Sequence, residues 1–373
     1  MKNRSVLIVG GGIGGMALAI RLRELSWQVD VVEIDPQWRV YGAGISIMAP
    51  TYRAFRRLGL GAELLAGGYG STKGVRICTA TGQLIVEQHM EPIEPGLPTH
   101  GGIMRPVLHA ILSGRTRASG ANIRLGVTLQ YYTQIDGKVR VATTDGVTHD
   151  YDLVVAADGA FSKLRSLIFP QAPQPTYTGQ YCWRLVGERP PDMEQCHFYL
   201  AGPVTAGVMP VSDTQMYMFL LQAEPEKIRL DEATQWQRLK ALMAPFSGIL
   251  AMVRDRLSPR SPIVCRPLDA ILVPRPWHRG RVVLIGDAAH ATTPHLASGA
   301  GIAVEDALVL AQELDRDASV EQALLRFEER RWDRCRMVVE NSVRIGHMEQ
   351  THADPATLKQ LMAESERALR QDI

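Results

Sequence analysis

Cysteine is scarce in this sequence, and the cysteines it has form no pairs along the chain. They are widely separated, with no Cys-x-x-Cys spacing, at Cys78, Cys182, Cys196, Cys265 and Cys335. An odd number of scattered cysteines argues against a disulfide framework and against a cysteine-ligated metal site. We therefore expect reduced thiols, no bound metal and a cytoplasmic location.

A strong net charge and a long apolar run are also missing. Lysine and arginine number 41 and aspartate and glutamate 39, which gives a formal net charge of +2. Such a balance gives no argument for binding to nucleic acid or to an anionic membrane surface. No stretch of the sequence is long and apolar enough to span a bilayer. We expect a protein that binds neither nucleic acid nor membrane.

Several catalytic motifs do not occur. The chain has no Gly-x-Ser-x-Gly elbow, no His-Glu-x-x-His helix and no P-loop lysine, which argues against the hydrolases that depend on them. The overall composition is that of an ordinary globular protein, with 46% hydrophobic and 21% charged residues. A length of 373 residues is enough for two hydrophobic cores.

A glycine-rich segment near the start of the chain has the spacing of a dinucleotide-binding turn. The apolar run Ser5–Val9 is typical of a buried parallel strand. Gly10, Gly12 and Gly15 follow it in Gly-x-Gly-x-x-Gly spacing, and residues 16–25 are good helix formers. The first glycine permits the tight turn, the second lets a pyrophosphate approach the backbone, and the third lets helix and strand pack closely.

An acidic residue at the end of a second predicted strand completes this unit. The strand covers residues 28–32 and ends at Glu33, 18 residues beyond Gly15. An acid at this place can accept hydrogen bonds from ribose hydroxyls, while the N–H groups of the helix start, near Ile13 and Gly14, face the phosphates. The unit predicts dinucleotide binding but does not distinguish NAD from FAD.

Two more segments follow predicted buried strands. Asp158-Gly159 comes after residues 153–157 and before a helix for which Ser162 is a plausible N-cap. Gly286-Asp287 closes the apolar run 281–285. Taken singly, the first segment is adequately explained as a strand, a turn and a capped helix. The acid of the second could simply lie near a helix start.

The remaining pattern predicts an α/β protein with interleaved domains. Asp-Gly turns separate the strands of a meander at residues 130–150, and alternation predicts a sheet over 176–221. Helices are predicted at 231–243, 302–314 and 320–344. We assign a Rossmann-like nucleotide domain to residues 1–72, 100–174 and 270–318, a mixed-sheet substrate domain to 73–99 and 175–269, and C-terminal helices to 319–373.

The three motifs, taken in order, resemble those of the group A flavoprotein monooxygenases, the family of aromatic hydroxylases similar to para-hydroxybenzoate hydroxylase. The matching segments are residues 10–15 with Glu33, residues 158–165 and residues 286–294. Their spacing also fits, so the resemblance covers nearly the whole chain. The Trp-x-Trp-x-Ile-Pro signature of the related flavin halogenases is missing. We also expect a compact member of the family, without the extra C-terminal domain of larger phenol hydroxylases.

The resemblance implies bound FAD and gives several residues a role. Glu33 would bind the adenosine ribose, Arg105 would lie near the phosphates and ribityl chain, and Asp287 would accept hydrogen bonds from ribityl hydroxyls. Asp158 would support FAD and the adjoining path of the nicotinamide cofactor. The full set of expected FAD contacts is Gly10, Gly12, Ile13, Gly14, Gly15, Glu33, Gly44, Arg105, Asp158, Gly286, Asp287, Pro294, Gly299 and Ala300.

The sequence departs from the family pattern beside the expected flavin ring. The family commonly has Gly-Gln-Gly followed by Asn, whereas this chain has Ala297-Ser298-Gly299 and then Gly301. Backbone N–H groups at the start of this helix would still face the reduced flavin, whose negative charge they favour. Residues 42–45 match the family's loop beside the ring, where small residues would leave room for the ring to move.

The resemblance also implies the reaction. NADH or NADPH would reduce FAD, O₂ would give a flavin C4a-hydroperoxide, and its distal oxygen would pass to a small, electron-rich aromatic or N-heterocyclic substrate. Because the chain has one dinucleotide fingerprint, the nicotinamide cofactor would share a groove with FAD. We assign no catalytic residue, and we expect a monomer or homodimer.

Three residues are candidates for contact with the substrate. Arg184 could bind an anionic group, but it could equally be a surface arginine of the sheet. Tyr217 alternates with apolar neighbours, which favours core packing. His295 follows Pro294 and could act as an acid or base, or could be an ordinary loop histidine.

The sequence can be compared with two alternative functions. The unusual Ala297-Ser298 loop is compatible with an FAD-binding protein that stabilises or delivers a reactive intermediate without hydroxylating it. An NAD-dependent dehydrogenase does not account for the Gly286-Asp287 motif.

Overall fold

The computed structural model describes residues 4–40, 42–201, 204–316 and 319–373. Its strands, in chain order, are β1 (Ser5–Val9), β2 (Gln28–Glu33), β3 (Gly44–Met48), β4 (Tyr69–Ser71), β5 (Val75–Thr79), β6 (Leu84–Gln88), β7 (His100–Met104), β8 (Asn122–Leu125), β9 (Leu129–Ile135), β10 (Lys138–Thr143), β11 (Thr148–Tyr151), β12 (Leu153–Ala156), β13 (Thr176–Glu188), β14 (Cys196–Ala201), β15 (Val204–Pro210), β16 (Gln215–Ala223), β17 (Val264–Ala270), β18 (His278–Arg279) and β19 (Val282–Leu284). Its α-helices are α1 (Ile13–Glu24), α2 (Ala49–Arg57), α3 (Gly61–Gly67), α4 (Arg105–Ala118), α5 (Lys163–Ile168), α6 (Gln235–Leu242), α7 (Ile249–Asp255), α8 (Asp287–His290), α9 (Gly299–Arg316), α10 (Val320–Gln350) and α11 (Pro355–Arg370).

A six-stranded sheet carries the first glycine motif. Its order is β18-β19-β12-β1-β2-β8, and all neighbours except β18 and β19 run parallel. Every residue of β1, β12 and β19 is buried, as expected for the central strands of a parallel sheet that is covered on both faces. This sheet with its helices confirms the Rossmann-like α/β fold predicted from the sequence.

A seven-stranded mixed sheet forms a second layer, in the order β17-β13-β16-β15-β14-β5-β6. The hairpin of β5 and β6 comes from an early part of the chain and joins β14 in parallel. One face of this sheet packs on α6 and α7, forming a separate hydrophobic cluster around Trp183 and Phe246. The second sheet confirms the predicted interleaving of a mixed β-sheet with the nucleotide-binding fold.

Two three-stranded sheets complete the strand pairing. The meander β11-β10-β9 turns at Asp136-Gly137, as predicted. The sheet β3-β7-β4 was not predicted, and its strands contact β15 and β16 of the seven-stranded sheet. It therefore lies where the two larger sheets approach each other.

The helices also refine the sequence predictions. The helix expected over 231–243 begins only at Gln235, because Asp231 forms a turn whose carbonyl accepts the Gln235 N–H. The helix expected over 302–314 covers Gly299–Arg316, and the one expected over 320–344 continues to Gln350. None of the helices in the described ranges combines the length and the apolar character needed to cross a membrane. The proposed domain boundaries stay a prediction, and those at residues 1 and 318 lie outside the described residues.

Candidate active site

The glycine turn after β1 is shaped by close backbone contacts. Gly10 has a φ of +109°, and a Cβ atom there would lie 2.3 Å from the carbonyl oxygen of Ala157. A Cβ atom on Gly15 would lie 2.1 Å from the carbonyl oxygen of Gly10. A Cβ atom on Gly12, by contrast, would meet no described atom within 4 Å. Two of the glycines are therefore required for packing, while the third leaves open space at the start of α1, beside Ile13.

Glu33 lies at the end of β2, against the same turn. Its carboxylate accepts hydrogen bonds from the backbone N–H of Gly11 at 2.8 Å and of Asp35 at 2.9 Å. The indole of Trp38 donates to the carbonyl oxygen of Gly11 at 2.8 Å. The carboxylate is thus fixed beside the glycine turn and remains partly exposed, so it retains acceptor capacity for a ligand.

The Asp158 motif connects two parts of the site. The Asp158 carboxylate accepts from the Ser162 hydroxyl at 2.5 Å, and Ser162 in turn accepts from the N–H of Arg165, which confirms its predicted role as N-cap. The fully buried Arg165 donates to the carbonyl oxygen of Ala288 at 3.0 Å. Asp158 therefore holds the start of α5 in place, and Arg165 of α5 in turn contacts α8, the short helix that follows Gly286.

Ala303 of α9 joins the two glycine motifs. A Cβ atom on Gly14 would lie 3.5 Å from the Ala303 Cβ, and one on Gly286 would lie 3.4 Å from it. Gly286 has a φ of +57°, and its N–H donates to the Asp306 carboxylate at 2.8 Å. Two segments more than 270 residues apart therefore meet at one place, as the sequence motifs predicted.

Asp287 begins α8 in a recess of the protein. Its side chain is reached by solvent, yet enough protein surrounds the carboxyl that burial raises its pKa. His290 and Arg105 act in the opposite direction, and the neighbouring Asp306 adds to the rise. The carboxyl is thus accessible to a ligand and lies within electrostatic range of the Arg105 guanidinium.

Arg105 begins α4, and its side chain crosses the loop before β3. A Cβ atom on Gly42 would lie 2.8 Å from the Arg105 Cδ. Burial lowers the pKa of Arg105, and the nearby Arg184 guanidinium lowers it further. Within the described ranges, neither arginine has a carboxylate oxygen within 4.0 Å. Two guanidinium groups without a paired acid favour an anionic ligand between them.

Tyr217 lies beside Arg184 on the seven-stranded sheet. The Arg184 guanidinium lies close enough to the Tyr217 hydroxyl for the two groups to interact electrostatically. Burial raises the pKa of Tyr217, so its hydroxyl stays protonated. A Cβ atom on Gly44 would lie 2.5 Å from the Tyr217 Cβ, so this glycine lets β3 approach the tyrosine. Gly44 thus packs against Tyr217, in addition to lying in the loop predicted beside the cofactor.

The start of α9 presents three backbone N–H groups. The first helical hydrogen bond runs from Ile302 to the carbonyl oxygen of Ser298, which leaves the N–H groups of Gly299, Ala300 and Gly301 without a partner inside the helix. Pro294, in the exposed 3-10 turn before them, is accessible to solvent.

The side chain of His295 is directed toward α10. Its Nδ1 atom lies 2.9 Å from the Thr293 hydroxyl, and its Nε2 atom lies 3.6 Å from the Glu349 carboxylate of α10. The ring packs on Gly346, where a Cβ atom would lie 2.7 Å from the His295 Cε1. The contacts of this histidine are with α10, so the structure does not bring it together with Arg184 and Tyr217.

Sequence reasoning missed a buried network behind Asp287. Asp306 contacts His290 at 2.6 Å and Arg331 at 2.8 Å, and all three side chains are buried. His290, Asp306 and Cys335 could together present three metal-ligand atoms within 4.8 Å of one another. However, the Asp306 carboxylate already accepts hydrogen bonds from a guanidinium and from Gly286, so an ion-pair network explains it.

Two surface cavities lie away from these groups. One, of about 360 Å³, is lined by the meander and Arg279, and the other, of about 500 Å³, by the loop before β17. Neither is lined by any residue predicted to contact the cofactor or the substrate. The predicted cofactor and substrate contacts therefore lie apart from both cavities.

The residues of this recess suit the extended dinucleotide that the sequence motifs predict. Open space at Gly12 and the N–H groups of α1 suit a pyrophosphate, and the fixed Glu33 carboxylate suits a ribose. Farther along, Arg105 lacks a paired acid and Asp287 is accessible. Together these groups form a continuous series of donors and acceptors, and they fit FAD.

Comparisons with known proteins agree with this geometry. Residues 3–342 match the family described as FAD binding domain. The chain is 33% identical over 356 residues to 2-heptyl-3-hydroxy-4(1H)-quinolone synthase of Pseudomonas aeruginosa (strain UCBPP-PA14), covering 93% of this chain and 90% of that protein. It is 32% identical over 357 residues to aurachin C monooxygenase/isomerase of Stigmatella aurantiaca, with the same coverage of 93% and 90%.

A solved structure shares the whole fold. The crystal structure of Klebsiella pneumoniae HpxO complexed with FAD and uric acid superimposes with a TM-score of 0.85 at 25% sequence identity, covering 99% of this chain and 95% of that one. The match to the family extends over nearly all of the chain and includes every motif of the recess. The chain therefore belongs to the FAD-dependent monooxygenases that share this FAD binding domain.

Proposed function

We propose that this FAD-dependent monooxygenase uses NADH or NADPH and O₂ to hydroxylate a small aromatic or N-heterocyclic substrate. The observation that carries the proposal is the pair of Arg105 and Arg184, which lie near Tyr217 and make no ion pair within 4.0 Å with a carboxylate of the described residues. One of these cations lies toward the expected cofactor and the other on the seven-stranded sheet. The substrate would lie between them.

The relatives support a heterocyclic ring as the substrate. Two of them are named for a quinolone and for aurachin C, and the solved neighbour was crystallised with uric acid. Quinolones and uric acid are nitrogen heterocycles with oxygen atoms attached to ring carbons, as carbonyl or hydroxyl groups. We expect the same chemical class here, with one such oxygen, called the ring oxygen below, directed to Arg184.

FAD would be bound by the groups that the recess presents. Glu33 would accept hydrogen bonds from the adenosine ribose, and the N–H groups at the start of α1, near Gly12, would contact the pyrophosphate. Arg105 would neutralise the phosphates, and Asp287 would bind the ribityl chain. When bound, the flavin supplies the redox chemistry that activates O₂.

The residues of the chain would prepare the substrate. A guanidinium at Arg184 stabilises the ionised form of a ring hydroxyl, and ionisation raises the electron density of the ring. Tyr217 stays protonated, so it can donate a hydrogen bond to the same oxygen. The buried surroundings of Tyr217 limit the access of water to the reacting ring.

The nicotinamide cofactor would use a groove that it shares with FAD, because the sequence has one dinucleotide fingerprint. Asp158, at the rim of this groove, would support both. We further expect a cytoplasmic monomer or homodimer, in line with five free and buried cysteines. The comparisons give no support for a protein that binds FAD without turnover.

The test is a visible spectrum of the purified protein, followed by NADH and NADPH oxidation with a panel of phenolic and N-heterocyclic compounds. We expect a flavin spectrum and at least a tenfold stimulation of oxidation by one class of compound, with a product heavier by one oxygen. Replacement of Arg184 by Gln should reduce that stimulation and leave the flavin spectrum in place. A protein that retains no flavin, or that oxidises NAD(P)H without an oxygenated product for any compound, would refute the proposal.

A further inference from the structure

A row of side chains crosses the seven-stranded sheet from Arg184 on β13 to Ile77 on β5, the strand next to the edge. Arg184 on β13 pairs with Phe219 on β16, Phe219 pairs with Gly207 on β15, and Gly207 pairs with Phe198 on β14. Phe198 pairs in turn with Ile77 on β5. Residues directly opposite one another in a sheet share a face, so these five residues form a cross-strand row that begins at the proposed substrate site.

The row presents a continuous apolar surface. The Phe219 ring lies over Gly207, where a Cβ atom would come within 2.4 Å of it, and it meets the Phe198 ring edge-on at a centroid distance of 5.8 Å. Because position 207 has no side chain, one aromatic ring reaches across a strand to the next. The distance from Arg184 to Phe198 is three strand spacings, about 14 Å.

The row lies on the opposite face of the sheet from the core formed with α6 and α7. The alternate side chains, such as Trp183 and Met218, face α6 and α7 and are buried there. On the row itself, Phe219 and Phe198 pack against the buried cluster that includes Tyr217, yet both rings and Ile77 stay half-buried. A half-open aromatic strip that leads away from the half-buried Arg184 therefore has apolar surface left to bind part of a ligand.

We propose that the substrate carries an unbranched apolar substituent that lies along the cross-strand row, with its polar ring oxygen at Arg184. The inference rests on the proposed function, since it places the reacting ring at Arg184 and Tyr217. It adds that affinity comes mainly from the substituent. A small, fully polar heterocycle would leave Phe219, Phe198 and Ile77 uncovered, and would bind less tightly.

The test is titration of the FAD-loaded protein with 2-alkyl-4(1H)-quinolones whose chains have one, three, five and seven carbons. Binding is followed through the flavin absorbance, and NAD(P)H oxidation is measured separately. We expect Kd to fall about fourfold for each added methylene while the chain still lies on the row. Equal Kd values for the shortest and longest chains, or no binding by any of them, would overturn the inference.

Single substitutions test whether the dependence of Kd on chain length arises from contacts with the cross-strand row. Phe198→Ala should weaken binding of the seven-carbon compound at least tenfold and leave the one-carbon compound unchanged. Ile77→Thr, which is mild in a strand and lies one strand beyond Phe198, should affect at most the seven-carbon compound, and less than Phe198→Ala does. Met252→Ala is the matched control, because Met252 is 50% exposed on α7, on the other side of the sheet. Equal losses for short and long chains, or losses in the control, would overturn the inference.

Two further outcomes separate the inference from the proposed function. Binding that depends on chain length without any oxygenated product would refute the proposed function and leave the row as a binding surface. Hydroxylation of unsubstituted rings with no dependence on chain length would support the function and overturn the inference.

A change of oligomeric state would also overturn the inference. If the protein were a dimer that Phe198→Ala converts to monomers, the row would be the surface that binds a second copy of the chain.

Discussion

The Nε2 atom of His290 lies 2.6 Å from Oδ2 of Asp306, and the same oxygen accepts the N–H of Gly286 at 2.8 Å. The other carboxylate oxygen accepts from Arg331 at 2.8 Å. One buried carboxylate thus fixes the Gly286-Asp287 turn, the helix that carries His290 and the long C-terminal helix α10. The position of Asp287, and with it the expected contact to the ribityl chain, depends on a residue that itself lies behind the cofactor recess.

Replacing Asp306 with Asn should therefore destabilise the protein and weaken cofactor binding together. The change removes one of the two buried carboxylates that pair with Arg331, while Glu305 remains 2.9 Å from the guanidinium. Complete loss of a buried ion pair costs about 3–5 kcal/mol, so the cost here should lie below that range. We expect a corresponding drop in the free energy of unfolding, measured by urea denaturation of the purified protein, and a loss of flavin absorbance after gel filtration. Asp333→Asn is the control, because Asp333 is 85% exposed on the same helix as Arg331. If Asp306→Asn were as stable as the control, the network would not be structural.

The same carboxylate predicts a response to acid. The His290 and Arg331 charges outweigh burial and lower the pKa of Asp306 from 3.8 to about 2. A lowered carboxyl pKa stabilises the folded protein above the unfolded value, and this stability is lost as the pH falls from about 4 to about 2. The amount is about 2 kcal/mol. Denaturation curves at several pH values should show this extra loss in the unmodified protein and not in Asp306→Asn, and parallel curves would contradict the assignment.

His290 predicts the opposite dependence at higher pH. Burial alone would lower its pKa, but Cys335 and Asp306 raise the pKa of the imidazole well above 6.5. A raised histidine pKa adds stability that is present below 6.5 and is lost as the pH rises through the folded value. We expect His290→Gln to be less stable than the unmodified protein at pH 6, with the difference shrinking toward alkaline pH. A difference that grows with pH would show that His290 is neutral in the folded protein.

Asp287→Ala should separate cofactor binding from folding. Its carboxyl is accessible and has no hydrogen bond to a described residue, so its removal opens no cavity in the core. Loss of hydrogen bonds from ligand hydroxyls to a carboxylate corresponds to about 1.5–3 kcal/mol, or roughly 10- to 100-fold in FAD affinity. We expect an unchanged melting temperature for the apoprotein and a raised Kd for FAD. Asp315→Ala, at the exposed far end of α9, should change neither, and an unchanged Kd in Asp287→Ala would remove this residue from the FAD site.

The second and third glycines of the fingerprint, Gly12 and Gly15, should respond differently to the same substitution. Gly12→Ala places a methyl group where no described atom lies within 4 Å, so the apoprotein should keep its stability while the methyl group obstructs the pyrophosphate. Gly15→Ala brings a methyl group within 2.1 Å of the Gly10 carbonyl oxygen, so the fold itself should lose about 1–3 kcal/mol. Thermal unfolding of the apoproteins and FAD titration distinguish the two. Equal stability losses in both would show that Gly12 is a packing glycine as well.

Much of the nucleotide-binding fold follows from sequence because its signals are local. The alternation of buried strand, glycine turn and helix lies within residues 5–33, and the Ser162 cap depends on a residue only three positions away. Short-range patterns of this kind report on backbone geometry directly. The Gly10–Gly15 and Gly286-Asp287 motifs could be predicted to meet only because the family resemblance links them. Neither segment, taken alone, indicates that the other lies nearby.

The remaining features depend on contacts between distant segments. The strands of the β3-β7-β4 sheet are short and contain Gly44, Gly101 and Gly102, which weaken any strand signal. Their pairing was missed for that reason. The side chain of His295 turns toward α10 because Gly346 leaves room for its ring, and the sequence near residue 295 carries no sign of this. In the same way, it is the register of strand pairing that places Arg184, Phe219 and Phe198 in one row.

Arg184 and Tyr217 give the sharpest test of the substrate site. If Arg184 binds a ring oxygen, Arg184→Gln should raise KM at least tenfold, since a charge-assisted hydrogen bond is lost, while FAD content stays the same. Tyr217→Phe should raise KM less, because it removes one neutral hydrogen bond. If Arg184 were only structural, both variants would instead shift the melting temperature and leave KM unaltered. Arg229→Gln is the control for loss of positive charge, because Arg229 is exposed in the loop between β16 and α6. Stability should barely change in Arg184→Gln, because the side chain is half-buried and makes no ion pair within 4.0 Å with a carboxylate of the described residues.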